Sequence, residues 1–355
     1  MPGPALVVIV YAVIIGLHLG VPGRWRSGYV RDAAGEPLRY RLNGLRVLVV
    51  VVGLYGGGGA LGLWPWDLFY TARWGMAAGA CALGLAFSLA IVAGAAPRRG
   101  WLADFYLGRR ADPRWGGGHV DAKMALYLVG AVMLELNVLS FAAHHVLTHR
   151  ADPSPGVLLH AALFSFFVVE YLNFEHVHLY TYDLVAERVG FKLGWGCLCF
   201  YPFFYPVGLW FAAARPNPHT PAPLLAGYAI LFFAGWALAR GANMQKYLFK
   251  TRPGARFLGL LAPGTVAGGG QQVLCSGFWG LSRHINYLGE VLMATALTLS
   301  LGQPAAIWPW LYPLYYIGLL LPRQYFDDQR CAEKYGALWA EYRRRVPYRI
   351  IPWVY

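Results

Sequence analysis

The chain is predicted to be all-α, a polytopic transmembrane helical bundle of about 9–10 spans. Three observations carry that expectation. Mean hydropathy is +0.42, and 57% of residues are hydrophobic while only 13% are charged, outside the range of ordinary soluble domains. Several apolar runs reach the roughly 20 residues that cross a bilayer as a helix. The short alternating strands of a membrane barrel are missing from the sequence, which leaves helices as the spanning element whose backbone is satisfied within lipid.

Taken in order, the first span is Ala5 to Leu19, an apolar run without the basic start of a cleaved signal peptide. Further candidates fall near 45–66, 75–97, 122–147, 156–180, 198–214, 222–240, 287–302 and 305–321. The count depends on how 198–240 and the region around Phe278 are cut. Gly56 to Gly59 lacks the following Lys-Ser/Thr of a phosphate loop, so it marks close helix packing or a bend. The polar stretches 98–121 and 241–275 read as loops of a single membrane domain.

The net charge of +13 is spread over connecting segments, among them Arg24/Arg26/Arg31, Arg98/Arg99 and Arg343/Arg344/Arg345. Topology signals and membrane lipid headgroups account for most of it. No aromatic-basic motif accompanies these charges, so nucleic acid is not an expected partner. The five cysteines form no paired CxxC pattern, and neither a disulfide nor zinc is suggested.

The strongest polar signals lie in the last quarter. From about Gln324 to Arg345 there is no proline, and the segment reads as a helix leaving the last span. On it Asp327, Cys331, Lys334, Tyr335 and Tyr342 share a face about 100° wide. An acid, a cation and two phenols on one stripe suit a phosphate-bearing ligand; a solvated amphipathic tail is the bland alternative. Upstream, Asn243, Lys246 and Lys250 recur at i, i+3 and i+7, as a pyrophosphate site or a membrane-surface anchor would have them. Phe278 and Trp279 precede Arg283, His284, Asn286 and Tyr287, so a planar ring such as adenine or nicotinamide could be stacked and its polar edge held. No GxGxxG follows a strand, which rules out a Rossmann domain as the means.

Two further clusters lie earlier. Glu170, Glu175, His176, His178 and Asp183, with His144, His145 and His149, invite a di-iron hydroxylase reading. The two additional histidine boxes of such enzymes are absent, and no metal is expected. The run Tyr201-Pro-Phe-Phe-Tyr205-Pro offers either a phenol inside an apolar cavity or an interfacial aromatic belt.

The stretch Leu274-Cys-Ser-Gly-Phe-Trp-Gly-Leu-Ser-Arg-His-Ile-Asn-Tyr-Leu-Gly closely resembles the sterol reductase family. So do Asp327, Cys331-Ala-Glu-Lys-Tyr335, Trp339-Ala-Glu-Tyr342 and Val346-Pro-Tyr-Arg-Ile-Ile-Pro. The family includes delta-14 sterol reductase, 7-dehydrocholesterol reductase, the lamin B receptor's membrane domain and the sterol 24(28) reductase. The likeness extends through Asn243-Met-Gln-Lys246, Gly190-Phe-Lys-Leu-Gly-Trp-Gly196 and Asp104-Phe-Tyr-Leu-Gly108, and covers roughly residues 100 to 355.

This resemblance implies an NADPH-dependent oxidoreductase that reduces a carbon–carbon double bond of a sterol, delta-14 or delta-7. Residues 1–97 would then be N-terminal spans, 98–240 the spans around a sterol cavity, and 241–355 the NADPH-binding portion. Carried over, the cofactor pocket uses Lys246, Lys250, Leu274, Trp279, Asn286, Tyr287, Asp327, Cys331, Lys334, Tyr335 and Tyr342. The catalytic pair is Tyr205 and Asp327, with Glu175, Asp183, Phe203 and Phe204 on the substrate side. An unactivated alkene accepts hydride only as a proton arrives, so an acid beside a dry cavity is required. The membrane is expected to be the bacterial inner membrane, or the endoplasmic reticulum of a eukaryote.

This chain departs from the family pattern on the substrate side. Ala186-Glu187 stands where the family has His-Asp, Cys197 where it has aspartate, and Pro206-Val-Gly where it has Thr-Leu-Gln. Two other classes remain open at this stage. One is a membrane methyltransferase of the isoprenylcysteine carboxyl methyltransferase type, whose C-terminal pattern is broadly similar. The other is a sterol-binding membrane protein without turnover.

Overall fold

The computed structural model describes residues 3–355, and its backbone contacts divide the chain into two compact units, one up to Thr220 and one from Pro221. Five helices among the described residues are long and apolar enough to cross a membrane. They are α1 (Gly3–Gly20), α3 (Arg73–Ala93), α4 (Ala122–Thr148), α5 (Pro155–Asn173) and α6 (Ala222–Thr251). A shorter apolar helix, α2 (Gly44–Ala60), lies between the first two. The chain is a helical membrane protein.

In the first unit, α1 and α2 are joined by an antiparallel hairpin of β1 (Arg24–Arg31) and β2 (Pro37–Leu42). Helix α1 crosses α3 through glycine. A Cβ on Gly79 would sit 2.7 Å from the Pro4 Cα, so only a glycine permits that approach. The glycine run Gly56 to Gly59 stays inside α2 without breaking it, and Gly58 and Gly59 lie against the indoles of Trp64 and Trp66. Close packing is thus the role of Gly58 and Gly59, while a Cβ on Gly56 or Gly57 would meet no atom within 4 Å. Helix α4 forms the centre of the unit, with most of its side chains buried. Its start is capped by Asp121, whose carboxylate accepts from the N–H groups of Lys123 and Met124.

The expected span at 198–214 is a broken path. A helical turn at Phe191–Trp195 runs into a π-type turn at Gly196–Phe200, a single turn at Tyr201–Phe204, and the short helix Val207–Ala212. Pro202 and Pro206 account for the breaks, because each removes a backbone donor.

In the second unit the polar stretch that begins at 241 is not all loop. Helix α6 continues to Thr251, so Asn243, Lys246 and Lys250 ride on its last turns. Next comes a hairpin of β3 (Thr265–Gly268) and β4 (Gln271–Leu274). Helices α7 (Ile285–Ser300) and α8 (Ile307–Tyr335) complete the bundle. Packing of α6 on α7 is set at Gly235 and Gly289: a Cβ on Gly289 would fall 2.4 Å from the Gly235 carbonyl oxygen.

Helix α8 carries Pro313, which leaves the Pro309 carbonyl without its helical donor. The Thr298 hydroxyl on α7 donates to that oxygen at 2.7 Å. The single helix expected over 324–345 is two helices. Gly336, at φ 54°, ends α8, and α9 (Ala337–Arg345) leaves in a new direction. With ψ at −126°, this positive-φ conformation is one that glycine adopts and residues with a Cβ avoid.

Replacing Gly289 with valine forces α7 away from α6 and is expected to cost about 1–3 kcal/mol or more. Thermal unfolding of purified Gly289→Val in detergent checks this; an unchanged midpoint would contradict the close crossing.

Candidate functional site

In the second unit, residues far apart in the chain converge on one cationic and aromatic face. Lys246 projects from α6 with its ammonium 5.3 Å from the centroid of the Trp279 ring. Trp279 is held at two points: its indole N–H donates to the Ala242 carbonyl at 2.8 Å, and its own carbonyl accepts from the Tyr342 hydroxyl at 3.0 Å. Lys250, one turn beyond Lys246, and Lys334 both approach the Tyr335 ring, at 6.0 and 4.9 Å from its centroid. Tyr335 in turn stacks on Trp339, and Trp339 contacts Tyr342.

Asp327 and Cys331 occupy α8 at and beyond the turns where its apolar stretch has ended. Burial raises the Asp327 carboxyl above the ordinary aspartate range, opposed by the positive charges of Lys246, Arg330 and Arg323. Burial likewise pushes the Cys331 thiol up to about 12, so it is present as the neutral thiol. Because α8 stops at Gly336, Tyr342 does not share a helix face with these residues. It reaches the same place from α9, where it is buried against Trp339, Val266 and Val346.

The turn that carries Trp279 depends on a residue to which the sequence assigns no role. Gln245, one position before Lys246, accepts from the Phe278 N–H at 3.0 Å and donates to the Ser276 carbonyl at 3.1 Å. It thereby clamps both sides of Gly277, whose φ of 60° needs a glycine. Asp328 is a second such residue. It accepts from the Trp339 indole at 3.1 Å and lies 3.6 Å from Arg343 and 3.9 Å from Arg283, tying α8, α9 and the segment before α7 together. Adjacent acids with separate tasks cannot be told apart from the dipeptide alone.

Leu274 is buried at the end of β4. Tyr287 is buried with its ring 4.9 Å from that of His284. The Oδ1 atoms of Asn243 and Asn286 and the Nε2 of His284 are buried without a hydrogen-bond partner. Burial and the nearby charges of Arg283, Lys246 and Arg349 lower His284 to about 3, so its imidazole is neutral. Unsatisfied polar atoms of this kind are costly unless a ligand supplies their partners. Lysines, stacked aromatic rings and orphaned amide oxygens together fit a phosphate-bearing molecule with a planar, hydrogen-bonding ring.

The first unit holds the remaining candidates. Tyr205 follows the turn Tyr201–Phe204 and meets the Tyr201 ring edge-on at 4.7 Å, with Phe200 at 6.4 Å. Phe203 is buried, and Phe204 stacks on Phe200 at 4.2 Å. Asp183 opens the short helix Tyr182–Val185. Glu175 is buried and accepts from the Gly44 N–H at 3.0 Å, which places its carboxylate at the start of α2. The family-like motifs upstream form scaffold. Asp104 gathers the N–H groups of Arg98 and Arg99 and the Arg109 guanidinium, and Gly108 meets Gly190 where neither could carry a side chain.

Of the histidines that suggested iron, His144 and His145 are engaged otherwise. Both ring nitrogens of His145 are occupied, by the Ala213 carbonyl at 3.2 Å and the Ser154 N–H at 2.9 Å. His144 pairs with Asp67 and stacks on Tyr70. Among the described residues, no group of three or more His, Cys, Asp or Glu side chains is placed to hold a metal ion.

Comparison with known proteins agrees with the motif pattern. A model described as the ergosterol biosynthesis ERG4/ERG24 family matches residues 5–355. The chain belongs to this family. It is 31% identical over 370 residues to a Delta(14)-sterol reductase of Arabidopsis thaliana, with 99% of this chain and 97% of that protein covered. It is 34% identical to Delta(14)-sterol reductase TM7SF2 of Mus musculus, covering 90% of this chain and 77% of the relative. A Delta(14)-sterol reductase of Methylotuvimicrobium alcaliphilum is 33% identical over 71% of this chain and 58% of its own length.

Glu175 yields a prediction independent of activity. Burial raises its carboxyl from 4.5 to about 7, against the lowering effect of the Gly44 N–H. The folded protein therefore keeps this proton in a range where the unfolded chain has lost it. Its contribution is fully present below pH 4.5 and is lost as pH rises through 7. Glu175→Gln, which can still accept from Gly44, should remove up to about 3 kcal/mol of that decline. Denaturation of both proteins at pH 5 and pH 8 measures it, and parallel stability losses would contradict the assignment.

Proposed function

We propose that this chain reduces a carbon–carbon double bond of a sterol with NADPH, and that the bond is the delta-14 one. The end-to-end likeness to Delta(14)-sterol reductases carries the choice of reaction and of bond. The cationic and aromatic face of the second unit supports the cofactor.

Lys246, Lys250 and Lys334 supply point charges for the phosphates of NADPH, and Trp279 and Tyr335 supply flat apolar surfaces. Lys250 replaces the arginine of the family pattern, which keeps the charge and gives up a bidentate fork. Asn243 and Asn286 offer their unpartnered oxygens to donors on the ligand. Tyr342 acts through Trp279 by holding its carbonyl. When bound, NADPH supplies hydride to one alkene carbon.

The other carbon needs a proton, and two residues are assigned to it. Tyr205 is a phenol among aromatic rings, and a phenol keeps its proton at neutral pH. Burial raises the Asp327 carboxyl above the ordinary aspartate range, so it holds its proton to higher pH than an exposed aspartate. Aromatic faces at Phe203 and Phe204 stabilise positive charge as the proton is taken up. Glu175 and Asp183 are proposed to shape the substrate side of the first unit.

Incubation with NADPH and sterols unsaturated at position 7, 14, 24 or 24(28), followed by mass spectrometry, tests the reading. The expected product comes from the delta-14 substrate. Asp327→Asn and Tyr205→Phe should each lower its rate by roughly 10²- to 10⁴-fold. No NADPH binding, or full activity in both variants, would refute the proposal.

The pH profile gives a separate check. The rate should fall as pH rises through the Asp327 ionisation, because the protonated form is the active one. Arg330 lowers that ionisation from 3.8 Å away, so Arg330→Gln should move the descending limb to higher pH. A shift to lower pH, or none, would remove Asp327 from the role of acid.

A further inference from the structure

Tyr205 lies within a stretch broken by two prolines, and Pro206 deprives a specific carbonyl of its helical donor. In an α-helix the carbonyl of residue i accepts from the N–H of residue i+4. Pro206 can offer nothing to Pro202, and the Leu198 carbonyl lies in the π-type turn Gly196–Phe200 just before. In a membrane helix such carbonyls have little water to turn to, and their satisfaction falls to neighbouring side chains.

Both carbonyls receive a donor from another helix of the same unit. The Tyr11 hydroxyl on α1 donates to the Leu198 carbonyl, and the Asn137 amide on α4 donates to the Pro202 carbonyl at 2.7 Å. Tyr11 and Asn137 are buried, Asn137 completely. Helix α4 also makes room for the break two turns earlier, at Gly130. A Cβ there would lie 2.5 Å from the Tyr201 ring and 2.7 Å from the Cys197 carbonyl oxygen. Gly130 and Asn137 are seven residues apart and thus share a face of α4.

We infer that Asn137, with Tyr11, positions Tyr205 by holding the Pro202 carbonyl, which Pro206 leaves without a helical donor, and the Leu198 carbonyl in the turn before it. The residue held by Asn137 stands three before Tyr205, and the proline that creates the need stands one after it. The side chain between them is thereby fixed relative to α4. This inference rests on Tyr205 as the proton donor. It concerns a feature in which the chain departs from its family pattern, since threonine at 206 would offer the Pro202 carbonyl a backbone donor without tying it to α4.

The test is a double substitution. Asn137→Leu preserves volume and removes the donor, and it should lower the melting temperature and reduce kcat by roughly 10- to 100-fold. KM for NADPH should stay unchanged. Pro206→Thr restores an N–H at 206, so in Asn137→Leu/Pro206→Thr the melting temperature should recover while kcat stays low. Tyr205→Phe, measured alongside, separates the two ideas. If it retains kcat, the proton-donor reading fails, whatever Asn137 does. If it loses kcat while Asn137→Leu retains it, or if stability and kcat recover together in the double variant, the positioning inference is overturned. Should Asn137→Leu fail to fold, Tyr11→Phe, which removes a single oxygen, takes its place. It should lower kcat with KM for NADPH unchanged, and wild-type kcat in that variant would overturn the inference.

Discussion

The structure turns on the need to satisfy every backbone carbonyl of a helix that crosses lipid. Prolines fall in the helical segments, and at two such points among the described residues a side chain on a neighbouring helix donates to the carbonyl that lost its partner. Asn137 serves Pro202 and Thr298 serves Pro309, while Tyr11 donates to Leu198 in the adjoining π-type turn. Each such bond pins one helix to another with the directional precision that apolar packing lacks. Glycines such as Gly235 and Gly289 bring backbones close. The polar bonds add direction to that contact.

The second unit combines burial with charge. Lys246 lies against the Trp279 ring, while burial and opposing cations act on Asp327 at once. Such a face raises the pKa of an acid by burial beside lysines that a phosphate can engage. Gln245 and Asp328 keep it in shape: one clamps the turn around Gly277, the other binds α8 to α9 through Trp339 and Arg343. Neither need touch a ligand to govern its affinity.

Much of this is legible in the amino-acid sequence. Apolar length locates the spans, and the order of motifs from Leu274 to Tyr342 identifies the family. Lys246, Trp279, Tyr335 and Tyr342 lie in one chain of contacts. Residue periodicity over 324–345 suggests one continuous helix, yet the positive-φ backbone of Gly336 ends α8 and outweighs it. Helix α6 runs further than its hydropathy suggests, since polar residues on one face do not stop a helix. Glu175 looks like one of a cluster of acids and histidines, and its bond to Gly44 spans 131 positions, beyond any local pattern. The partnership of Asn137 with Pro202 is hidden for the same reason. The missing donor at Pro206 can be read from the chain, but the group that replaces it cannot.

Isotope placement tests the central claim most directly. With NADPH deuterated at its transferable position in ordinary water, the reduced sterol should carry one deuterium. With unlabelled NADPH in heavy water it should again carry one, at the neighbouring carbon. That pair of results means hydride from the nucleotide and a proton exchangeable with solvent. No label from the nucleotide, or no saturated product under either condition, would contradict the account.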